Sequence, residues 1–265
     1  MQKWKYFEEQ CTKYLQEEFG EFAEFDCEGG SDSTVSDILV KPRKTAPFCI
    51  EVKLPIAQCG QFVLFPDMEL GEFIYSGKNK TNCNEYAKQI IKFMNTKFEV
   101  FKNAGTKGGI IEFPKSDKIF FDWIKTIYKE KEVKFIITHN NIILPLEKIN
   151  NYFLVTAHYR IKKSGSGDVG KRKINKVKEY ILRKDYSISS IEQKDSKLFV
   201  VSEKNIDKEK FVFENDNYMF AKRGNMYEIR KLSNTNHANV IFLIKLKNDI
   251  DEGLTKEEFI KYLIK

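Results

Sequence analysis

Two short apolar runs decide the fold, and they read Val35-Ser-Asp-Ile-Leu-Val40 and Phe48-Cys-Ile-Glu-Val-Lys-Leu54. The link between them, residues 41–47, carries two prolines and three cations and is typical of a turn. The pattern therefore predicts an antiparallel hairpin centred near Lys44. In that register, residue 37 lies opposite residue 51 and residue 35 lies opposite residue 53.

Three charged residues, Asp37, Glu51 and Lys53, interrupt these apolar runs. Charges are unusual inside such strands because burying an unpaired charge is costly. Alternation along the two strands places all three side chains on one face of the hairpin. Two neighbouring carboxylates repel unless a cation lies between them, and carboxylate oxygens suit Mg²⁺, with the Val52 carbonyl as a further ligand. The alternative is a buried ion-pair network without metal.

This arrangement resembles the PD-(D/E)xK nuclease superfamily. Asp37 matches the first acid of the motif, and Glu51-Val52-Lys53 matches its second half. Ser36 stands where the motif has proline. The resemblance implies that Asp37 and Glu51 hold Mg²⁺ and that Lys53 acts on the scissile phosphate.

Two further positions match residues that some branches of the superfamily use. Gln61 stands where several branches place a glutamine, and the resemblance adds it to the catalytic residues. Glu9, on the predicted opening helix, matches an extra acid and is expected among the metal ligands, although Glu8 competes for this role.

The activity that the resemblance implies is that of a Mg²⁺-dependent type II restriction endonuclease, which hydrolyses phosphodiester bonds of double-stranded DNA at a specific sequence. A homodimer is expected, since two-fold protein symmetry mirrors a two-fold site. A cognate DNA methyltransferase would belong to the same system without being a stable partner. The alternatives are a structure-specific repair or recombination nuclease of the same superfamily and a non-catalytic DNA-binding protein.

Two similar triplets elsewhere in the chain serve as internal controls. Glu132-Val133-Lys134 repeats the E-x-K pattern, and Asp195-Ser196-Lys197 gives a D-x-K. Neither follows an acid-bearing apolar strand at hairpin distance, and we interpret both as solvated charges at the ends of elements.

The order of predicted elements favours an α/β (α+β) fold with a central mixed sheet flanked by helices. An amphipathic helix over residues 3–19 comes first, and helices and strands then alternate to about residue 150. From residue 188 to residue 247, strand-like runs dominate, and a capping-box pattern at Thr255-x-x-Glu258 opens a last helix. We expect a catalytic core over residues 1–150 and a DNA-recognition region over residues 151–265, packed on the core.

A basic tract after residue 157 is the second informative feature. Strand alternation places Arg160 and Lys162 on one face, where they could reach base edges, and a Ser/Gly loop follows. Lysines and serines of such a loop can bind phosphate oxygens. It resembles segments found in the recognition parts of many restriction endonucleases. The predicted DNA-binding residues are Arg160, Lys162, Lys163, Ser164, Ser166, Lys171, Arg172 and Lys173.

The composition excludes several other classes of protein. The chain has 265 residues and a net charge of +7, a modest bias toward polyanions. Three isolated histidines and five cysteines without C-x-x-C spacing give no support to zinc sites, His-based proteases or a disulfide scaffold. No apolar run approaches the roughly 18 residues of a membrane helix, and we expect a cytoplasmic protein.

Overall fold

The computed structural model describes residues 3–29, 35–162, 165–232 and 237–265. The chain forms two compact units: unit 1 comprises residues 1–161 and 238–265, and unit 2 comprises residues 162–237. The division therefore falls at residues 161 and 237, whereas the sequence suggested a single boundary near residue 150. The reason is a strand pairing described below, which returns the end of the chain to unit 1.

The helices are α1 (Lys3–Phe19), α2 (Glu85–Asn95), α3 (Phe98–Lys102), α4 (Ser116–Glu130), α5 (Ile149–Tyr152), α6 (Ile174–Leu182) and α7 (Lys256–Ile264). The strands of unit 1 are β1 (Ala23–Cys27), β2 (Ile38–Pro42), β3 (Phe48–Val52), β4 (Ile56–Asp67), β5 (Glu72–Tyr75), β6 (Gly109–Ile111), β7 (Val133–Ile137), β8 (Ile143–Pro145), β9 (Phe153–Lys162) and β16 (His237–Leu246). Unit 2 holds β10 (Ser166–Gly167), β11 (Ile188–Lys194), β12 (Lys197–Ser202), β13 (Lys210–Phe213), β14 (Asp216–Arg223) and β15 (Met226–Leu232).

The first sheet of unit 1 has the order β1-β2-β3-β7-β8, and it is mixed because β3 and β7 run parallel while the other pairs are antiparallel. In the β2–β3 hairpin, Ile38 pairs with Ile50 and Val40 with Phe48. This confirms the register centred on Lys44. The expected α/β (α+β) class, with a mixed sheet flanked by helices, is confirmed as well.

Helices cover both faces of this first sheet. On one face, Cys11, Leu15 and Phe19 of α1 form a buried cluster with the sheet and with Phe259 and Leu263 of α7. On the other face, α4 contributes buried aromatic and aliphatic side chains to a larger cluster. The predicted capping box opens α7: the Glu258 N–H donates to Thr255 Oγ1 at 3.2 Å, and the Thr255 N–H donates to the Glu258 carboxylate at 3.0 Å.

The second sheet of unit 1 has the order β5-β4-β16-β9-β6. Strand β16 lies between β4 and β9, so residues close to the end of the chain occupy the middle of this sheet. The register between β4 and β16 shifts where Phe242 faces Gly60 and Leu243 faces Gln58. Gly60, with φ of +143°, takes up this β-bulge, and a Cβ there would lie only 3.0 Å from the Trp123 ring.

Unit 2 has its own sheet, in the order β11-β12-β15-β14-β13, with β10 added beside β15. Helix α6 contributes Ile174, Val177 and Ile181 to a core shared with this sheet. All five cysteines are free, as expected without a disulfide scaffold. No helix within the described ranges is long and apolar enough to cross a membrane.

Candidate active site

Asp37, Glu51 and Lys53 meet at the ends of β2 and β3. Lys53 Nζ lies 2.5 Å from Glu51 Oε2 and 3.2 Å from Asp37 Oδ2. The Val52 N–H also donates to Asp37 Oδ2, at 2.7 Å. The hairpin register brings these residues together because residue 37 faces residue 51 across the pair, while Ile38 and Ile50 point into the core on the opposite face.

Burial and mutual charge set the protonation of this cluster. Burial raises the pKa of Asp37, and the attraction of Lys53 offsets only part of this effect. Burial would also raise the pKa of Glu51, but the charge and hydrogen bond of Lys53 outweigh it and lower that pKa. Burial would lower the pKa of Lys53, yet Glu51 and Asp37 raise it well above its usual value. The cluster is therefore an ammonium held between two carboxylates.

Tyr128 of α4 closes the buried side of the cluster. Its ring centroid lies 5.9 Å from Lys53 Nζ, and its hydroxyl is hydrogen-bonded to Glu51 and to the Cys59 thiol. Tyr128 is only 3% exposed, and burial raises its pKa well above the usual value. Burial likewise raises the pKa of Cys59, to about 12, so this thiol stays neutral. Tyr128 therefore holds Glu51 in place as a neutral hydrogen-bond partner, and Cys59 in turn contacts the Tyr128 hydroxyl.

On α1, the structure places Glu8 toward the cluster, whereas Glu9 is exposed. The Glu8 carboxylate packs against Gly29, whose N–H donates to the Asp37 carbonyl. Burial, together with the charge of Asp37, raises the pKa of Glu8 from 4.5 to about 7. Its Oε2 atom is buried and has no hydrogen-bond partner in the described part of the chain. Of the two acids that the sequence offered, Glu8 is thus the one near the site.

The oxygen donors of the cluster are of the kind that a hard divalent cation prefers, but they are not gathered around an open site. Asp37 and Glu51 already share one positive charge, and Glu8 adds a buried oxygen without a partner. Within the described ranges, no three or more acidic, histidine or cysteine side chains lie close enough together to hold a metal ion. Lys53 occupies the space between the carboxylates, so a cation there would require the ammonium to move aside.

A cavity of about 600 Å³ opens in front of this cluster. Gln61 of β4 lines it, and its Oε1 accepts a hydrogen bond from Asn239 Nδ2 at 3.4 Å. Trp123 lies on the inner wall, and four consecutive residues, Lys78–Thr81, form part of the rim. The structure therefore brings Gln61 to the same cavity as Asp37, Glu51 and Lys53.

The residues of the basic tract differ in their surroundings. Arg160 is exposed on β9 while its neighbour Tyr159 is buried, as the alternation predicted. Lys171 and Arg172 are exposed in unit 2, in the turn before α6. Lys163 and Ser164 lie outside the described residues, as does the side chain of Lys162.

Two predicted DNA-binding residues have protein partners instead. Ser166 Oγ accepts a hydrogen bond from Arg230 Nε at 3.1 Å, and the Ser166 carbonyl accepts another from the same guanidinium. Lys173 Nζ lies 2.8 Å from Asp216 and 3.5 Å from Glu214. These contacts join elements of unit 2 and reduce the capacity of both residues to bind phosphate.

The control triplets lie where the sequence predicted. Glu132, in the left-handed region with φ of 58°, follows α4, and Lys134 is exposed with its Nζ 4.9 Å from the Phe48 ring. Neither residue lines the cavity. Asp195 sits in the turn between β11 and β12, also with positive φ.

Sequence reasoning missed Tyr128, Cys59 and the Lys78–Thr81 segment. Tyr128 belongs to the apolar stripe of an amphipathic helix, and nothing in its spacing separates it from core residues. Glu8 could have been found, since it falls three residues before Cys11 and seven before Leu15, both fully buried.

Comparison with solved structures finds one strong similarity. The structure of HhaI endonuclease in complex with DNA matches over 99% of both chains, at 38% sequence identity and a TM-score of 0.69. No protein-family model matches the chain, and no curated protein matches it either.

Proposed function

The chain belongs to the family of the HhaI restriction endonuclease, and on this premise we propose that it is a Mg²⁺-dependent, sequence-specific endonuclease of type II that cuts double-stranded DNA. One observation carries the proposal beyond the family relationship. Asp37, Glu51 and Lys53 form a buried charged cluster that opens into a cavity, where a purely structural ion pair would need no opening. This is the arrangement expected of a PD-(D/E)xK active site.

In this proposal, Asp37, Glu51 and the Val52 carbonyl hold the Mg²⁺ ion, with Glu8 behind them. When bound, Mg²⁺ polarises the scissile phosphate and lowers the pKa of a coordinated water. Lys53 donates to the phosphate or to the attacking water and offsets the negative charge that develops. Because the two carboxylates keep Lys53 protonated, we assign it charge stabilisation and orientation rather than proton abstraction. Gln61 orients groups in the cavity.

Each unit contributes residues to DNA binding in this proposal. Arg160 and Lys162 are proposed to reach base edges, and Lys163, Ser164, Lys171 and Arg172 to contact phosphates. Ser166 and Lys173 are proposed to support the shape of unit 2, since both have protein partners there.

The test is cleavage of a plasmid of known sequence with Mg²⁺ or with EDTA, for the parent and for Asp37→Asn and Glu51→Gln. We expect discrete fragments only for the parent with Mg²⁺, with DNA binding in Ca²⁺ retained by both variants. Glu132→Gln, from the control triplet, should cut like the parent. Cleavage by either active-site variant at the parental rate would refute the assignment.

The same experiment, repeated on a linear duplex and on a branched substrate, separates the rival functions. A structure-specific nuclease would leave the linear duplex intact and cut a branched substrate, and a non-catalytic DNA-binding protein would bind without cutting under any condition. The homodimer and the cognate DNA methyltransferase stay predictions. Sedimentation of the protein on a short cognate duplex in Ca²⁺ would count the chains per duplex.

A further inference from the structure

The segment that joins β5 to α2 forms an ordered, lysine-bearing loop for which the active-site residues give no explanation. Residues 78–81 read Lys-Asn-Lys-Thr and line the same cavity as Asp37 and Glu51. Both lysines are exposed, whereas the residues around them make an ordered set of hydrogen bonds. We call residues 76–81 the lysine loop.

Asn79 fixes the lysine loop to β4. Its Oδ1 accepts a hydrogen bond from the Val63 N–H at 2.8 Å, and its Nδ2 donates to the Val63 carbonyl at 2.9 Å. The side-chain amide thus pairs with β4 as the backbone of a neighbouring strand would. The Ser76 N–H donates to the same Val63 carbonyl at 3.0 Å, and the Asn79 N–H donates to the Ser76 carbonyl at 3.1 Å.

The other end of the lysine loop is held as well. The Tyr75 hydroxyl donates to the Thr81 carbonyl at 3.1 Å, and the Lys78 N–H donates to Ser76 Oγ at 3.1 Å. Ser76 is only 1% exposed. A loop held at both ends fixes the backbone from which its lysines project, so that only side-chain freedom remains to be lost when a ligand binds.

The positive charge of the lysine loop suits an anionic ligand. Lys78 makes no ion pair with any residue that the structure describes, although acidic side chains line the same cavity. Asp37 and Glu51 are already paired with Lys53. An exposed ammonium on an ordered loop, in the same cavity as the proposed catalytic cluster, suits a second phosphate of the same nucleic acid.

We propose that the lysine loop binds a DNA phosphate flanking the scissile one, with Lys78 as the phosphate ligand and Asn79 as the positioning residue that holds the loop on β4. This inference rests on the proposed function. It adds a backbone contact that fixes the position of the scissile phosphate in front of Lys53 and contributes to every DNA sequence alike.

The test pairs a protein change with a DNA change. Duplexes carrying a single neutral methylphosphonate at successive positions around the cut are titrated with the parent and with Lys78→Ala, in Ca²⁺ to prevent cutting. We expect one flanking methylphosphonate to weaken binding by the parent about tenfold, as expected for one lost charged contact. Lys78→Ala should weaken binding to the unmodified duplex by a similar factor and show no further loss at that one position.

Two further variants complete the experiment. Lys88→Ala, an exposed lysine of α2 that does not line the cavity, should bind all the duplexes like the parent. Asn79→Ala should raise KM more than it lowers kcat, and its binding should no longer depend on the methylphosphonate. Asn79→Asp keeps only the acceptor for the Val63 N–H, so its KM and its methylphosphonate effect should lie between those of the parent and of Asn79→Ala.

Two results would overturn the inference. In the first, the loss of affinity in Lys78→Ala adds to the loss caused by the methylphosphonate at every position. In the second, Lys78→Ala binds all the duplexes like the parent. Failure of the proposed function has a different signature, since the parent itself would then not cut duplex DNA with Mg²⁺, whatever its binding.

Discussion

Replacing Glu8 by Gln tests the electrostatics of the active site in the absence of substrate. The folded protein raises the pKa of Glu8 from 4.5 to about 7, through burial first and the charge of Asp37 second. The folded state therefore binds this proton more tightly than the unfolded state does. Between pH 4.5 and pH 7 the free energy of unfolding must then fall as the pH rises, because the unfolded state releases this proton over that range while the folded state keeps it.

The magnitude follows from the size of the shift. One pKa unit corresponds to about 1.4 kcal/mol, so the rise of the Glu8 pKa corresponds to about 3 kcal/mol over the full range. Most of this loss of stability, roughly 2 kcal/mol after partial solvent screening, falls between pH 5 and pH 8. Gln has the same shape and does not titrate, so Glu8→Gln should not suffer this loss.

The assay is urea unfolding in EDTA at pH 5 and at pH 8, followed by tryptophan fluorescence. Both tryptophans of the chain, Trp4 and Trp123, belong to unit 1, so the signal reports the unit that contains the site. The advantage of Glu8→Gln over the parent should be roughly 2 kcal/mol larger at pH 8 than at pH 5. Glu9→Gln is the matched control: this neighbour is exposed, so its effect should stay within about 0.5 kcal/mol at both pH values.

An equal difference between parent and Glu8→Gln at the two pH values would refute the reasoning, since it would mean that Glu8 does not carry a raised pKa. Added Ca²⁺ extends the experiment to the proposed metal site. If Glu8 supports the cation, Ca²⁺ at pH 8 should stabilise the parent more than it stabilises Glu8→Gln.

Three other changes have expected outcomes. Lys53→Ala should lower the cleavage rate by several orders of magnitude, while the rate of Lys134→Ala should stay within a few-fold of the parent. Single-turnover kinetics would compare the two variants, and the reverse ranking would mean that residues 132–134, and not residues 51–53, form the catalytic triplet. Arg160→Ala should cost about 1–3 kcal/mol on cognate DNA and little on a scrambled duplex, whereas Lys171→Ala should weaken both equally and reduce the salt slope by about one; equal losses for Arg160→Ala would make it a backbone contact. Gly60→Ala should destabilise unit 1 by about 1–3 kcal/mol, because φ is +143° and the new Cβ meets the Trp123 ring; unchanged urea unfolding would contradict this.

The local geometry of the site could be predicted from the sequence because two short-range rules determine it. Period-two alternation and a turn centred on Lys44 are enough to place Asp37 opposite Glu51, and the observed register follows them. The choice between Glu8 and Glu9 needed the helical period as well. The buried positions of α1 are 8, 11, 15 and 19. They are hard to recognise in the sequence because the apolar pattern of the helix begins at Trp4, which is exposed.

Pairings between distant parts of the chain could not be predicted in this way. Strand β16 lies between β4 and β9. The local sequence pattern predicts that these segments are strands, but it does not predict which strands pair with each other. The turn before β14 is hard to recognise in the sequence for a local reason. The hairpin of β14 with β13 turns through Glu214 and Asn215, both with positive φ, and the pair lacks the glycine that usually marks such a turn.

The position of β16 in the second sheet has a consequence for folding during synthesis on the ribosome. Asn239 and Gln61 touch across β16 and β4 but are 178 residues apart in the chain. A ribosome adding about 5–20 residues per second needs roughly 10 to 35 s to cover that distance. Throughout that interval β4 lacks its partner β16, while the 76 residues of unit 2 are synthesised. The nascent chain therefore carries Asp37, Glu51 and Lys53 well before β16 is made, and the second sheet, with the contact between Gln61 and Asn239 at the cavity, is completed only by this late strand.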